Sequence, residues 1–242
     1  MKGKLFGIGA GPGDPELLTI KAVNTIKKCD VIAVPVTGSG AASSERTAYS
    51  IAENYLAGKE LLECRFTMET DITKRKEARQ QAAAGIMRFL DEEKDVGFIT
   101  LGDPTTYSTY MYVHELIISK GFDAEIIPGI SSYAAAAAAF GIALCEGSEI
   151  LTIIPASHHA NIGELLDLPG NKVIMKSGGN LAQVLEKLKE RSYGERVKIA
   201  YRCTMEGQKL YYSIDEFVAY QAQSPCAEEH RNGYFTIAIV RG

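Results

Sequence analysis

Basic residues are in no surplus: 26 Lys and Arg stand against 30 Asp and Glu, a net charge of −4. A nucleic-acid partner would call for a basic surface, so DNA and RNA are excluded. Long hydrophobic runs are missing too. The longest, residues 134–140, is far short of the ~20 residues that a bilayer-spanning helix needs, so no membrane partner is expected. The opening Met1-Lys2-Gly3-Lys4 leads at once into a strand-like segment, and no secretory leader is expected. Cysteine has no pairing pattern. The five, at 29, 64, 145, 203 and 226, are scattered and include no C-x-x-C, which suits reduced thiols in a cytoplasmic protein.

Phosphate fingerprints are absent as well. G-x-G-x-x-G counted from Gly7 meets Pro12 where its last glycine belongs, and counted from Gly9 it meets Asp14. The second strand ends in Pro35-Val36, not in the acidic residue that would hold a ribose. No G-x-x-x-x-G-K-[ST] occurs, since Gly58-Lys59 is followed by Glu60. A nucleotide-linked redox enzyme is therefore disfavoured. Adjacent His158 and His159 point to different sides of a turn, and no third ligand keeps zinc-like spacing, so no metal site is expected.

What is present is a repeated strand–turn–helix grammar. A short apolar strand runs into Gly9-Ala10-Gly11-Pro12-Gly13-Asp14. Asp14 is a natural helix cap, Pro15 suits a first turn, and Glu16 favours the positive helix end. Leu17, Ile20, Val23 and Ile26 recur every three residues, which predicts one buried helix face closed by Lys27-Lys28. The sequence 37–44 is a polar, glycine-bearing loop long enough for a flap, and a charged amphipathic helix is expected over 71–93. The grammar returns at Gly102-Asp103-Pro104-Thr105-Thr106, before a helix over 107–119, and at Pro128-Gly129-Ile130-Ser131-Ser132, before an alanine-rich helix ending at Gly141. Alternating strands and helices argue for α/β layering with parallel sheet. Further on, strands at 150–154, 172–175, 197–200 and 234–240 surround one clear helix at 181–190, as expected of a second sheet. The expected architecture is two α/β domains, 1–121 and 122–242, with a cleft between them.

In an open parallel sheet, ligands bind outside the carboxyl ends of the strands, where all three turns lie. Small residues, hydroxyls and acids there suit a small polar ligand gripped mainly by main chain. Taken singly, each turn reads as plain strand–helix punctuation; taken together, punctuation and pocket are both open.

The run from Gly9 to Ala22, G-A-G-P-G-D-P-E-L-L-T-I-K-A, resembles the signature of the tetrapyrrole (cobalamin-pathway) methyltransferases. The Gly102-Asp103-Pro104 and Pro128-Gly129-Ile130-Ser131-Ser132 turns match that family's second and third motifs. The resemblance implies the tetrapyrrole methylase fold, S-adenosylmethionine bound in an interdomain cleft, and a homodimer. It makes Pro12, Leu101, Gly102, Asp103, Thr106, Ser131, Ser132, Met175, Tyr201, Arg202, Cys203 and Thr236 cofactor-contact candidates. The stretch 102–112, Cys145-Glu146-Gly147-Ser148-Glu149 and the terminal 234–241 resemble the branch methylating C-20 of precorrin-2 or cobalt-factor II. That implies an S-adenosylmethionine-dependent C-methyltransferase of cobalamin (vitamin B12) biosynthesis; a sibling acting at another ring carbon is the alternative.

Methyl transfer from a sulfonium is an in-line displacement, so catalysis is expected to be chiefly positioning. Asp103 is expected to arrange the cofactor, with simple helix capping as the alternative, and Tyr107 or Tyr110 to lie near the macrocycle, with core packing as the alternative. The polycarboxylated substrate implied by the resemblance needs local cations. Arg46, Arg65, Lys176, Arg202 and Arg231 are the candidates, against the alternative that each is a surface charge.

Overall fold

The fold is that of a computed structural model, which describes residues 2–37, 46–67, 71–158, 161–223 and 233–242. Most of the expected flap, together with Arg231, Cys226 and His159, lies outside the described residues. Two compact units divide the chain, Met1–Ser131 and Ser132–Gly242.

The first unit is built on five strands: β1 (Leu5–Gly9), β2 (Val31–Thr37), β3 (Glu60–Phe66), β4 (Val96–Thr100) and β5 (Ala124–Ile127). All pair in parallel, in the order β3-β2-β4-β1-β5. Every residue of β1 and β4 is buried, as a parallel sheet covered on both faces requires. Alternation then splits the core in two. Phe6, Ile8, Ile32 and Val34 pack with α1 (Ile20–Lys28) and α2 (Arg46–Ala52). Leu5, Val31, Ala33 and Phe98 pack with α3 (Ile72–Asp91) and α4 (Tyr110–Ser119). The chain thus leaves β1 along one face and the neighbouring β4 along the other, and the two connections part at the carboxyl rim. Such a switch point is where open α/β sheets bind ligands.

Three sequence expectations need revision here. β5 pairs with β1, so the first unit reaches Ser131 and passes the Gly121 boundary. Asp14 caps only the 3-10 turn Pro15–Leu17, accepting from the Glu16 N–H at 2.8 Å. Extended Leu18 interrupts the helix, and Thr19 caps a second start by accepting from the Ala22 N–H at 3.1 Å. Ile20, at the first helical position, is 82% exposed, and Ala22, Thr25 and Ile26 form the buried face. The third revision is the start of α4 at Tyr110 in place of Tyr107, whose φ of +51° is not helical.

The second unit carries β6 (Leu151–Pro155), β7 (Asn171–Met175), β8 (Val197–Tyr201), β9 (Lys209–Tyr211) and β10 (Thr236–Val240). Their order is β6-β7-β10-β8-β9; β6 and β7 are parallel, and β10 runs antiparallel to β7 and β8. One face packs on α6 (Ile162–Leu166), α7 (Leu181–Glu190) and α8 (Ile214–Ala222). Against β10 lies α5 (Ser132–Phe140), whose buried alanines permit close approach. The sequence reading supplied α7 and missed α6, α8 and β9. A signal for α8 existed: Ser213 accepts from the Glu216 N–H while Glu216 accepts from the Tyr212 N–H, close to a capping box.

Ile26→Ala is expected to cost about 2–5 kcal/mol, whereas Ile20→Ser should stay within about 0.5 kcal/mol. Urea unfolding of both variants checks which face of α1 is buried; equal losses would contradict this assignment.

Candidate functional site

The carboxyl ends of β4, β1 and β5 lie side by side, and their three loops are bonded into one body. The Ala10 N–H donates to the Thr100 carbonyl at 2.8 Å. Gly11 and Gly102 exchange two main-chain bonds, the Gly102 N–H to the Gly11 carbonyl at 2.7 Å and the reverse at 3.2 Å. Asp103 joins the second loop to the third: its Oδ2 accepts from the Gly129 N–H at 3.0 Å. Its Oδ1 accepts from the Thr105 N–H at 2.8 Å and from the Thr105 hydroxyl. With both oxygens engaged in loop contacts, Asp103 braces the rim and does not serve merely as a helix cap.

Close approach sets which residues fit. A Cβ on Gly129 would lie 2.3 Å from the Gly102 oxygen and 2.8 Å from the Gly9 Cα; one on Gly9 would lie 2.6 Å from Gly129. These glycines let the loops touch each other. Gly102 differs. Its φ is +71°, and although the residue is buried, nothing stands within 4 Å of where its side chain would be. Around it, Pro12 is buried and Leu101, Thr106 and Ser131 are half-buried. Ser131 ends the first unit, and Ser132 opens α5.

Tyr107 closes the second turn in a left-handed conformation, 46% exposed. Non-glycine residues adopt this conformation rarely, and strain of this kind gathers at functional positions. Sequence reasoning missed Ser108, whose Oγ lies 3.0 Å from Thr100 Oγ1 and accepts from the Tyr110 N–H at 3.2 Å, closing the turn at its base.

The second-unit candidates gather at one end of their own sheet. β10 runs antiparallel to β7 and β8, so Thr236 starts where those strands finish, with Tyr201 directly opposite. Met175 ends β7, and Lys176 follows at φ +55°; Tyr201 ends β8, and Arg202 follows at φ +49°. The Arg202 N–H donates to the Phe235 carbonyl at 3.0 Å and its Nε to the Glu206 carbonyl at 2.9 Å. Lys176 Nζ sits 5.1 Å from the Tyr234 ring centre. Cys203 is buried, which pushes its thiol up to about 11 and keeps it protonated at neutral pH.

Two substrate candidates do not join these groups. Tyr110 is fully buried in the core that α3 and α4 form on the first sheet, so it is not a ring-stacking surface. Arg65 sits on the edge strand β3, highly exposed and 3.3 Å from Glu63; its guanidinium is a surface charge. Arg46 opens α2.

The family model of the tetrapyrrole (corrin/porphyrin) methylases matches residues 4–217. A probable cobalt-precorrin-2 C(20)-methyltransferase of Methanocaldococcus jannaschii is 35% identical, over 98% of this chain and 96% of its own length. A precorrin-2 C(20)-methyltransferase of Sinorhizobium is 30% identical over 86% of this chain and 87% of its own. The fold is similar to that of uroporphyrin-III C-methyltransferase from Thermus thermophilus, solved with S-adenosylhomocysteine, at a TM-score of 0.69 and 17% identity. That likeness covers 99% of this chain and 97% of that one.

Gly129→Ala should lower stability by about 1–3 kcal/mol, because only main chain surrounds the added carbon. Gly194→Ala, with open space at the same test, should be near neutral. Thermal unfolding compares them, and a harmless Gly129→Ala would refute the close packing of the loops.

Proposed function

The chain belongs to the tetrapyrrole (corrin/porphyrin) methylase family, and on that premise we propose that it transfers a methyl group from S-adenosylmethionine to C-20 of precorrin-2 or cobalt-factor II, in cobalamin biosynthesis. The observation that carries this reading is the similarity to the Methanocaldococcus jannaschii protein, which spans almost the whole of both chains. The joined loops of the first unit supply a physical counterpart to it.

The residues present fit the methyl donor. A small zwitterionic molecule with an adenine needs main-chain donors and acceptors and little side-chain bulk, and the 9–14, 102–106 and 128–132 loops, with unfilled space beside Gly102, suit both needs. Pro12, Leu101, Gly102, Thr106 and Ser131 are assigned to it on the first unit. Ser132, Met175, Tyr201, Arg202, Cys203 and Thr236 are assigned from the family match. Bound there, S-adenosylmethionine would supply a methyl group already activated by its sulfonium charge.

The protein's task is then geometric: to hold methyl and C-20 about 3–3.5 Å apart and aligned. Asp103 serves by fixing the second loop against the third through Gly129. Tyr107, set by its strained backbone, is assigned to the macrocycle. Lys176 is assigned to its carboxylates with Arg46 and Arg231, where an acidic protein needs local positive charge. The acidic balance and the scattered cysteines without a C-x-x-C support a cytoplasmic enzyme, and the family supports a homodimer.

Incubation with S-adenosylmethionine and precorrin-2, with and without cobalt, should yield a product whose NMR spectrum places the new methyl at C-20. A methyl at another ring carbon would overturn the assignment. Asp103→Ala should weaken S-adenosylhomocysteine binding about tenfold, equivalent to about 1.4 kcal/mol. Unchanged affinity and full turnover would remove Asp103 from this role.

A further inference from the structure

Tyr110, the first residue of α4, sits directly behind the turn 102–109, and its surroundings are unusual for a core tyrosine. Its ring lies against Gly7 in the middle of β1: a Cβ on Gly7 would stand 2.0 Å from the ring carbon Cζ. Phe98 of β4, paired directly with Gly7, is 5.4 Å away between ring centres. The ring is therefore wedged beside the two strands whose carboxyl ends part at the switch point. Its hydroxyl lies 2.9 Å from Nδ1 of His114, one helical turn along. Its N–H donates to Ser108 Oγ, which also contacts Thr100. Burial pushes the phenol well above its ordinary range and the imidazole below its own, so both rings stay neutral at pH 7.

The functional consequence follows from chain connectivity. The turn carrying Asp103, Thr106 and Tyr107 is tied at one end to β4 and at the other to Tyr110. Whatever fixes Tyr110 relative to β1 also fixes the second loop relative to the first. A glycine at position 7 leaves the space into which the ring fits.

We infer that Tyr110 is a positioning residue for the methyl donor: wedged on Gly7 and tethered to His114, it sets the register of the turn 102–109 against the β1 loop. The inference rests on the reading that S-adenosylmethionine binds at these loops. It gives Tyr110 a role through loop geometry, without contact to either substrate.

The test compares Tyr110→Leu with Val113→Ala, a second fully buried site on α4, by calorimetry with S-adenosylhomocysteine and by kcat and KM, well below each melting temperature. Tyr110→Leu should weaken binding about tenfold and raise the KM for S-adenosylmethionine, while Val113→Ala lowers only the melting temperature. Gly7→Ala should also weaken binding, and the double variant Gly7→Ala, Tyr110→Leu should lose less than the two single losses multiplied together, since both act at the same contact. Equal affinities in Tyr110→Leu and the wild type would overturn the inference, as would losses that simply multiply in the double variant. A wild-type protein that fails to bind S-adenosylhomocysteine would instead defeat the underlying reading.

Discussion

The bond from Gly129 N–H to the Asp103 carboxylate, at 3.0 Å, is the constraint on which the rim depends. It joins the loop after β4 to the loop after β5, while paired bonds between Gly11 and Gly102 join it to the loop after β1. Three segments far apart in sequence thereby become one surface. Hydrogen bonds to a charged acceptor contribute more than neutral ones, and here the acceptor is shared with Thr105 within its own turn.

Sheet order makes that bond possible. β1 sits between β4 and β5, so no loop needs to travel to meet the others. The connection after β1 passes to one face and that after β4 to the opposite face, which parts the chain above the strand ends. Loops that must touch there can carry no side chains at the contact, and Gly9 and Gly129 meet this demand. Conformational strain is found at such ends in each unit: Tyr107 in the turn after β4, and Lys176 and Arg202 directly after β7 and β8 of the second unit, take positive φ.

Much of this was legible in the sequence, because glycine and proline mark strand–helix turns strongly and the apolar strands of a parallel sheet stand out. The two-unit α/β architecture and the parallel first sheet could be read in that way. The second unit was harder to read: β9 and α6 are too short for periodicity to register, and α8 was signalled only by its cap. Helix starts were misjudged where one cap follows another, as at Asp14 and Thr19, which is why Ile20 was given to the core. Tyr110 could not be decided from sequence because an aromatic at a helix start reads alike whether it faces a ligand or a glycine in the neighbouring strand; only the fold brings Gly7 beneath it. The tie between Asp103 and Gly129 spans positions that no local pattern connects.

The central claim is that the joined loops after β1, β4 and β5 cradle the methyl donor by their main chain. A crystal structure of the protein with S-adenosylhomocysteine tests it most directly. The account predicts the ligand against Gly102, with hydrogen bonds to main-chain groups of the 9–14 and 128–132 loops. A ligand bound away from all three loops would contradict it.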